Sequence, residues 1–224
     1  MIAFKFIIIA VISYLLGSLN FGVILSKGMK SEDVRDSGSG NAGTTNMMRT
    51  YGKTLGLLTI AGDILKVILA IWLAFRIVSV EELKMTLDSA SDYPQVVLKS
   101  FAGLFAVLGH IFPCYFKFKG GKGVATSGGM VIVIDWRIAL ILLAIFALTI
   151  LITKYVSLGS ILMAIFYPVF IGIFYKDIIL VLIALVFTVI VVVAHRENVK
   201  RLFNHTENKI GSKKKKKTYI KLTL

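Results

Sequence analysis

An all-α, polytopic integral membrane protein is predicted by three features of this sequence: its apolar content, the length of its apolar blocks and the placement of its positive charge. Of 224 residues, 57% are hydrophobic and 17% charged, with a mean hydropathy of +0.83. Water-soluble domains run at about 45–50% and about 25%. That balance excludes a disordered chain and a water-soluble globule, and the single cysteine, Cys114, excludes a disulfide scaffold. Blocks of about 20 apolar residues cross a bilayer as helices, because lipid offers no water to unpaired backbone groups. The net charge of +14 reads first as topology, since Lys and Arg collect in cytoplasmic loops, and not as a nucleic-acid surface. The length suits one helical bundle without an attached soluble domain. Residues 1–212 are expected to form a single membrane-embedded domain. Residues 213–224, which include Lys213 to Lys217, are expected to be a basic, flexible tail that touches anionic headgroups.

The first block, 2–25, is too long for the apolar core of a cleavable signal peptide and reads as a retained span. The loop 26–54 carries Lys27, Lys30, Arg35, Arg49 and Lys53, which places it in the cytoplasm and the N-terminus outside. A second span, 55–78, leads to a loop with Glu81, Glu82, Asp88 and Asp92 against Lys84, as an external loop allows. The third, 95–116, returns to Lys117, Lys119 and Lys122 inside. Asp135-Trp136-Arg137 interrupts the next block, 124–152. Read as one crossing, this block would put Arg196, Lys200, Arg201, Lys209 and the polylysine run outside. Two short crossings, 124–134 and 138–152, keep them in the cytoplasm. With 156–175 and 177–194 the prediction is seven transmembrane helices, N-terminus outside and C-terminus cytoplasmic. No repeat of about 20–50 residues is evident.

Three polar clusters fall on the cytoplasmic side of this arrangement. The first is Ser37-Gly38-Ser39-Gly40-Asn41-Ala42-Gly43-Thr44-Thr45-Asn46-Met47-Met48-Arg49. Its glycines permit close backbone approach, and a helix start beside an arginine suits a phosphate or carboxylate. The same residues would also serve as a flexible connector with Thr44 or Thr45 as N-cap. The second, Lys117-Phe118-Lys119-Gly120-Gly121-Lys122-Gly123, fails as a nucleotide P-loop because Gly123 stands where a hydroxyl would hold Mg²⁺. It keeps the elements of an anion-wrapping turn. The third is dispersed: Ser157 and Ser160, then His195-Arg196-Glu197-Asn198, then Glu207. Within the spans, Asp63 and Lys66 are three apart and can pair, while His110 reads as a satisfied core histidine. Three scattered histidines and one cysteine lack metal-ligand spacing.

On these motifs the chain resembles the bacterial acyl-phosphate:glycerol-3-phosphate acyltransferases of the PlsY type. The resemblance rests on GSGNAGTTNMMR at 38–49, GHIFPCYFKFKGGKGVAT at 109–126 and HRENVKRL at 195–202, and it extends to Gly17-Ser18-Leu19-Asn20 and Asp63-Ile64-Leu65-Lys66. It implies transfer of a fatty acyl group from acyl phosphate to the 1-hydroxyl of sn-glycerol 3-phosphate, giving lysophosphatidic acid and phosphate early in phospholipid synthesis. The implied setting is a bacterial cytoplasmic membrane with the active site facing the cytoplasm, and no cofactor or obligate protein partner.

Carried over by motif, the resemblance implies catalytic roles for Ser39, Arg49, Lys122 and His195, with Arg49 gripping the glycerol 3-phosphate phosphate. Gly40, Asn41, Gly43, Thr45 and Asn46 would line the site, Gly120, Gly121 and Gly123 would clasp phosphate, and Ser157 and Asn198 would contact substrate. Glu207 resembles a structural glutamate of the family. The hydroxyl proton could pass to His195 or to the donor phosphate; the resemblance implies the latter. The H-x-x-x-x-D pair of acyltransferases that use acyl-CoA or acyl carrier protein is absent, since Tyr115, Lys200 and Ile210 stand where His110, His195 and His205 would need the aspartate. A transporter for a phosphorylated metabolite is the alternative class. It would place its polar site near the midplane, often between repeated halves.

Overall fold

The computed structural model describes residues 2–87 and 90–210; the basic tail expected at 213–224 lies outside them. Among the described residues the chain forms eleven α-helices and no strand. In order they are α1 (Ile2–Gly17), α2 (Phe21–Lys30), α3 (Thr44–Tyr51), α4 (Lys53–Ile77), α5 (Val80–Leu87), α6 (Pro94–Ile111), α7 (Val124–Ile134), α8 (Trp136–Thr153), α9 (Val156–Tyr175), α10 (Ile178–Ala194) and α11 (Arg196–Phe203).

Every expected apolar block is mainly helical. Five stretches are long and apolar enough to cross a membrane: Ile2–Lys30, Lys53–Ile77, Pro94–Phe116, Trp136–Thr153 and Val156–Tyr175. A sixth arises if α10 and α11, bent by 61°, are taken together. Helix α7 has 11 residues, or about 16 Å of rise, short of a hydrocarbon core of about 30 Å. Asp135 both ends α7 and starts α8, accepting from the Arg137 amide at 2.9 Å, so the interruption at 135–137 is a helix cap.

The block 2–25, read as one span, is instead broken at Ser18–Asn20. Three interactions make the break. Ser18 Oγ donates back to the Tyr14 carbonyl at 2.9 Å. Asn20 Oδ1 accepts from the Val23 amide at 3.3 Å and caps α2. The Leu19 carbonyl, left without a helical partner, accepts from Lys66 Nζ of α4 at 3.0 Å. Just before the break α1 and α6 touch backbone to backbone: a Cβ on Gly17 would stand 2.0 Å from the Ala106 carbonyl oxygen, and one on Gly109 2.1 Å from that of Tyr14. Small residues that let helices meet this closely are the usual means of packing in lipid. Pro168, inside α9, leaves the Ala164 carbonyl without its amide donor. Thr188 Oγ1 of α10 donates to that oxygen at 2.7 Å.

The main core runs through α1, α4, α6, α7, α9 and α10, with Val67, Leu98, Ala102, Ala106, Met130, Ile171 and Leu180 among its buried members. A second, smaller core of Val23, Val34, Ala42, Met47 and Leu55 seats α2, α3 and the loop between them on the start of α4. Large apolar residues including Ile7, Leu65, Leu143, Leu151, Leu182 and Val189 point outward, an apolar exterior that suits lipid. As successive helices alternate in direction, the segments 31–43, 112–123, 154–155 and 195–210 gather at one end of the bundle.

Candidate active site

The first glycine-rich loop is organised by Asn46, whose side chain is buried. Its Oδ1 accepts from the Ser39 amide at 2.7 Å, and its Nδ2 donates to the carbonyls of Val34, Ser37 and Asn41 at 3.0, 3.0 and 2.9 Å. The amide of Asn46 therefore shapes the loop from within. Asn41 Oδ1 accepts from the Gly43 amide at 2.8 Å, and Gly38 and Gly40 take φ of 63° and 72°. Gly43, and neither threonine, is the N-cap of α3, and no side chain caps it. The helix start thus keeps free amide character beside an exposed crest of Ser39, Gly40 and Thr45, with Arg49 exposed one turn on.

Arg35 joins this loop to the second. Its Nε and Nη2 grip both oxygens of Asp33 at 2.9 and 2.7 Å, which holds the Asp33 carboxyl well below the usual carboxylate range. Its Nη1 donates to the carbonyls of Phe116 and Lys119 at 3.0 and 2.7 Å. A cleft of about 360 Å³ lies between the loops, lined by Arg35, Gly40, Lys117, Lys119 and Gly120 among others.

In the loop expected to clasp phosphate, the amides of Gly120 and Gly121 already have partners. They donate at 3.1 Å to the carbonyls of Ile111 and His110, satisfying the end of α6 and docking the loop there. What the segment offers an anion is the Lys122 ammonium and the first turn of α7, whose N-cap, Gly123, brings no side-chain cap.

Lys122 is the hub of the third cluster. Its Nζ donates to Asn198 Oδ1, and Asn198 Nδ2 donates to Glu207 Oε1 at 2.9 Å. The same carboxylate accepts from Ser157 Oγ of α9 at 3.0 Å and from Arg201 Nε at 2.7 Å. Burial pushes the Glu207 carboxyl up, but these hydrogen bonds and the Arg201 charge outweigh it and hold the group below its ordinary value. For Lys122, burial is the main cause of a lowered pKa. Repulsion from Arg201 and Arg49 adds to it and attraction from Glu207 opposes it, leaving the ammonium at about 8. Arg49 of the first loop is therefore near enough to act on Lys122 of the second.

His195, buried at the bend between α10 and α11, places Nδ1 2.8 Å from the Val191 carbonyl. A carbonyl only accepts, so Nδ1 carries the proton and Nε2 is the acceptor nitrogen of the neutral ring. Lys122 and Glu207 both act on this imidazole.

Ser39, Arg49, Lys122, Ser157, His195 and Asn198 thus come from four separate stretches of chain to one end of the bundle. Two contributors escaped the motif reading. Arg201 could have been found from its spacing, three residues past Asn198 on one helical face. Arg35 could not, because the carbonyls it binds are distant in sequence. No group of His, Cys, Asp and Glu among the described residues could hold a metal ion.

Comparison with known proteins shows the family. The profile of the family described as Glycerol-3-phosphate acyltransferase matches residues 7–205. A glycerol-3-phosphate acyltransferase of Clostridioides difficile (strain 630) is 42% identical over 94% of this chain and 98% of its own. Its counterpart in Bacillus subtilis (strain 168) is 40% identical over 91% and 96%. Among solved structures, the crystal structure of PlsY (YgiH), an integral membrane glycerol 3-phosphate acyltransferase, in the glycerol 3-phosphate form superposes with a TM-score of 0.79 at 35% identity, covering 92% of this chain and 96% of that one. From these matches across nearly its whole length, the chain belongs to the glycerol-3-phosphate acyltransferase family, PlsY type.

Proposed function

We propose that this acyltransferase uses acyl phosphate as donor and forms 1-acyl-sn-glycerol 3-phosphate and inorganic phosphate. The observation that carries the reading is that Arg49, one turn beyond the uncapped start of α3, acts electrostatically on Lys122, which directly precedes the uncapped start of α7. Both substrates in this reading carry a phosphate, and each start suits one. Arg49 and the crest at Ser39, Gly40, Asn41, Gly43 and Thr45 hold the glycerol 3-phosphate, while Lys122, Gly123 and the first turn of α7 hold the donor phosphate. Asn46, Gly120 and Gly121 set the two loops. Asn198 and Ser157, through Glu207, orient Lys122.

The 1-hydroxyl oxygen attacks the acyl carbon, and the bond from that carbon to the phosphate oxygen breaks. The hydroxyl proton ends on the released phosphate, either directly or through Nε2 of His195. The donor is already a mixed anhydride, so positioning and stabilisation of charge account for the acceleration without an acyl-enzyme.

The site faces the cytoplasm in this reading, in a bacterial cytoplasmic membrane, with seven crossings, an external N-terminus and a cytoplasmic C-terminus. Charge supports it: Lys27, Lys30, Arg35, Arg49, Lys53, Lys117, Lys119, Lys200 and Arg201 crowd the end that holds the site. The test supplies purified protein in lipid with acyl phosphate and labelled glycerol 3-phosphate, without CoA or metal. Labelled lysophosphatidic acid is expected; its absence across several lipid compositions overturns the donor assignment.

A further inference from the structure

Beneath the two loops lies a cluster that the proposed reaction does not use. Asp63 and Lys66 of α4 and His110 of α6 are all buried. Lys66 Nζ stands 2.8 Å from Asp63 Oδ1, 2.8 Å from His110 Nδ1 and 3.0 Å from the Leu19 carbonyl. His110 Nδ1 is also 3.4 Å from Asp63 Oδ1. An ammonium has three protons, and here three acceptors surround it. With a carboxylate, an ammonium and a neutral imidazole, the cluster carries no net charge, which suits burial among spanning helices.

Each arm of the cluster reaches a part of the site. Through Leu19 it holds the break before α2, where a Cβ on Gly22 would stand 1.9 Å from the Ala42 carbonyl oxygen of the first loop. Through His110 it meets the second loop twice: the His110 carbonyl accepts from the Gly121 amide at 3.1 Å, and a Cβ on Gly121 would lie 2.1 Å from His110 Nε2. The imidazole edge is therefore the floor on which Gly121 rests, and Lys122 is the next residue. A buried ion pair is a poor device for stability alone, because packed apolar side chains often do as well. It does impose defined distances on the elements it joins.

We infer that Asp63, Lys66 and His110 are positioning residues: a buried brace that holds Gly121, and through it Lys122, in place for the donor phosphate. The inference rests on the acyl-phosphate reading above. His110→Asn puts an amide beside Lys66 in place of Nδ1 and removes the ring edge under Gly121. Hydrogen exchange of the full-length variant in detergent is expected to rise about tenfold across residues 117–124, with α9 unchanged. In the acyl-transfer assay, KM for acyl phosphate is expected to rise about tenfold while that for glycerol 3-phosphate stays within about twofold. The double variant Asp63→Asn/Lys66→Met, which leaves no charge unpaired, provides the same readings if His110→Asn cannot be purified.

Unchanged exchange at 117–124 overturns the brace. So does exchange that rises equally in α9 with both KM values unchanged, which marks loss of folded enzyme alone. If the wild type makes no lysophosphatidic acid while the variant still loosens 117–124, the donor assignment falls and the brace survives as support for the loop. An active wild type with an unmoved loop removes the brace alone.

Discussion

The two ends of the helical bundle treat their helix starts differently. At the far end Asp135 caps α8 and pairs with Arg137 at 2.7 Å. Asp177 caps α10 through the amides of Ile179 and Leu180 at 2.9 and 3.1 Å, and Lys5 meets Glu82 at 2.6 Å. At the near end α3, α7 and α9 start without a side-chain cap, and Lys122 and Arg201 both act with one carboxylate, Glu207. Of the two recesses described, the one at the far end is the larger, about 560 Å³ around Lys99, Trp136, Arg137 and Tyr175, yet Lys99 there donates to the Val133 carbonyl and Arg137 pairs with Asp135. In the proposed reading the chemistry lies away from this recess, at the end where helices start uncapped. In that reading the uncapped starts suit substrates that bring their own negative charge.

Breaking the near end should cost function first. Lys122→Ala is expected to lower turnover by about 100-fold or more, the scale seen when one charge-stabilising donor is removed from an active site, while the protein stays folded by exchange or thermal melting. Near-normal turnover would remove Lys122 from the reaction. Arg49→Ala should raise KM for glycerol 3-phosphate by about 10–100-fold, as expected for a charge-assisted contact of roughly 1.5–3 kcal/mol. An increase confined to acyl phosphate would reverse the assignment of the two loops.

The pH dependence sharpens the contrast. Lys122 has a pKa of about 8, below that of an ordinary lysine, so its positive charge is present below that pH and lost as pH rises through it. In kcat/KM for the acyl donor, which reports the free enzyme, activity should be level below about 8 and fall above it. A profile flat to pH 10 would show that this ammonium is not needed in its charged form. At the far end Asp135→Ala removes a cap and an ion pair, which should cost about 1 kcal/mol of stability and leave both KM values unchanged. A change in either KM there would mean that the ends are coupled.

Much of this molecule was legible in the sequence because its strongest signals are local. The expected blocks 124–134 and 156–175 coincide with α7 and α9, since apolar runs between polar punctuation need no distant partner to be recognised. The break at Ser18–Asn20 is hidden within a continuous apolar run: its local marks are only the Ser18 and Asn20 side chains, and its third support, Lys66, lies more than forty residues on. Gly120 and Gly121 illustrate a different limit. Their place in a lysine-flanked glycine turn suggests anion binding, and their amides also meet the end of α6, which no local pattern discloses. Thr44 and Thr45 were candidate caps by residue type, and the loop drawn in by Asn46 gave that place to Gly43. Asp63 and Lys66 were expected to pair from their spacing alone; the third partner, His110, came from another helix.

Glu207 follows the bend at His195 and the whole of α11, yet its carboxylate anchors the residues around Lys122. During synthesis every earlier helix therefore leaves the ribosome before the anchor does. A nascent chain stalled after α10 would hold Lys122 without Asn198 and the carboxylate that fixes it, and that support arrives only once translation has passed residue 207.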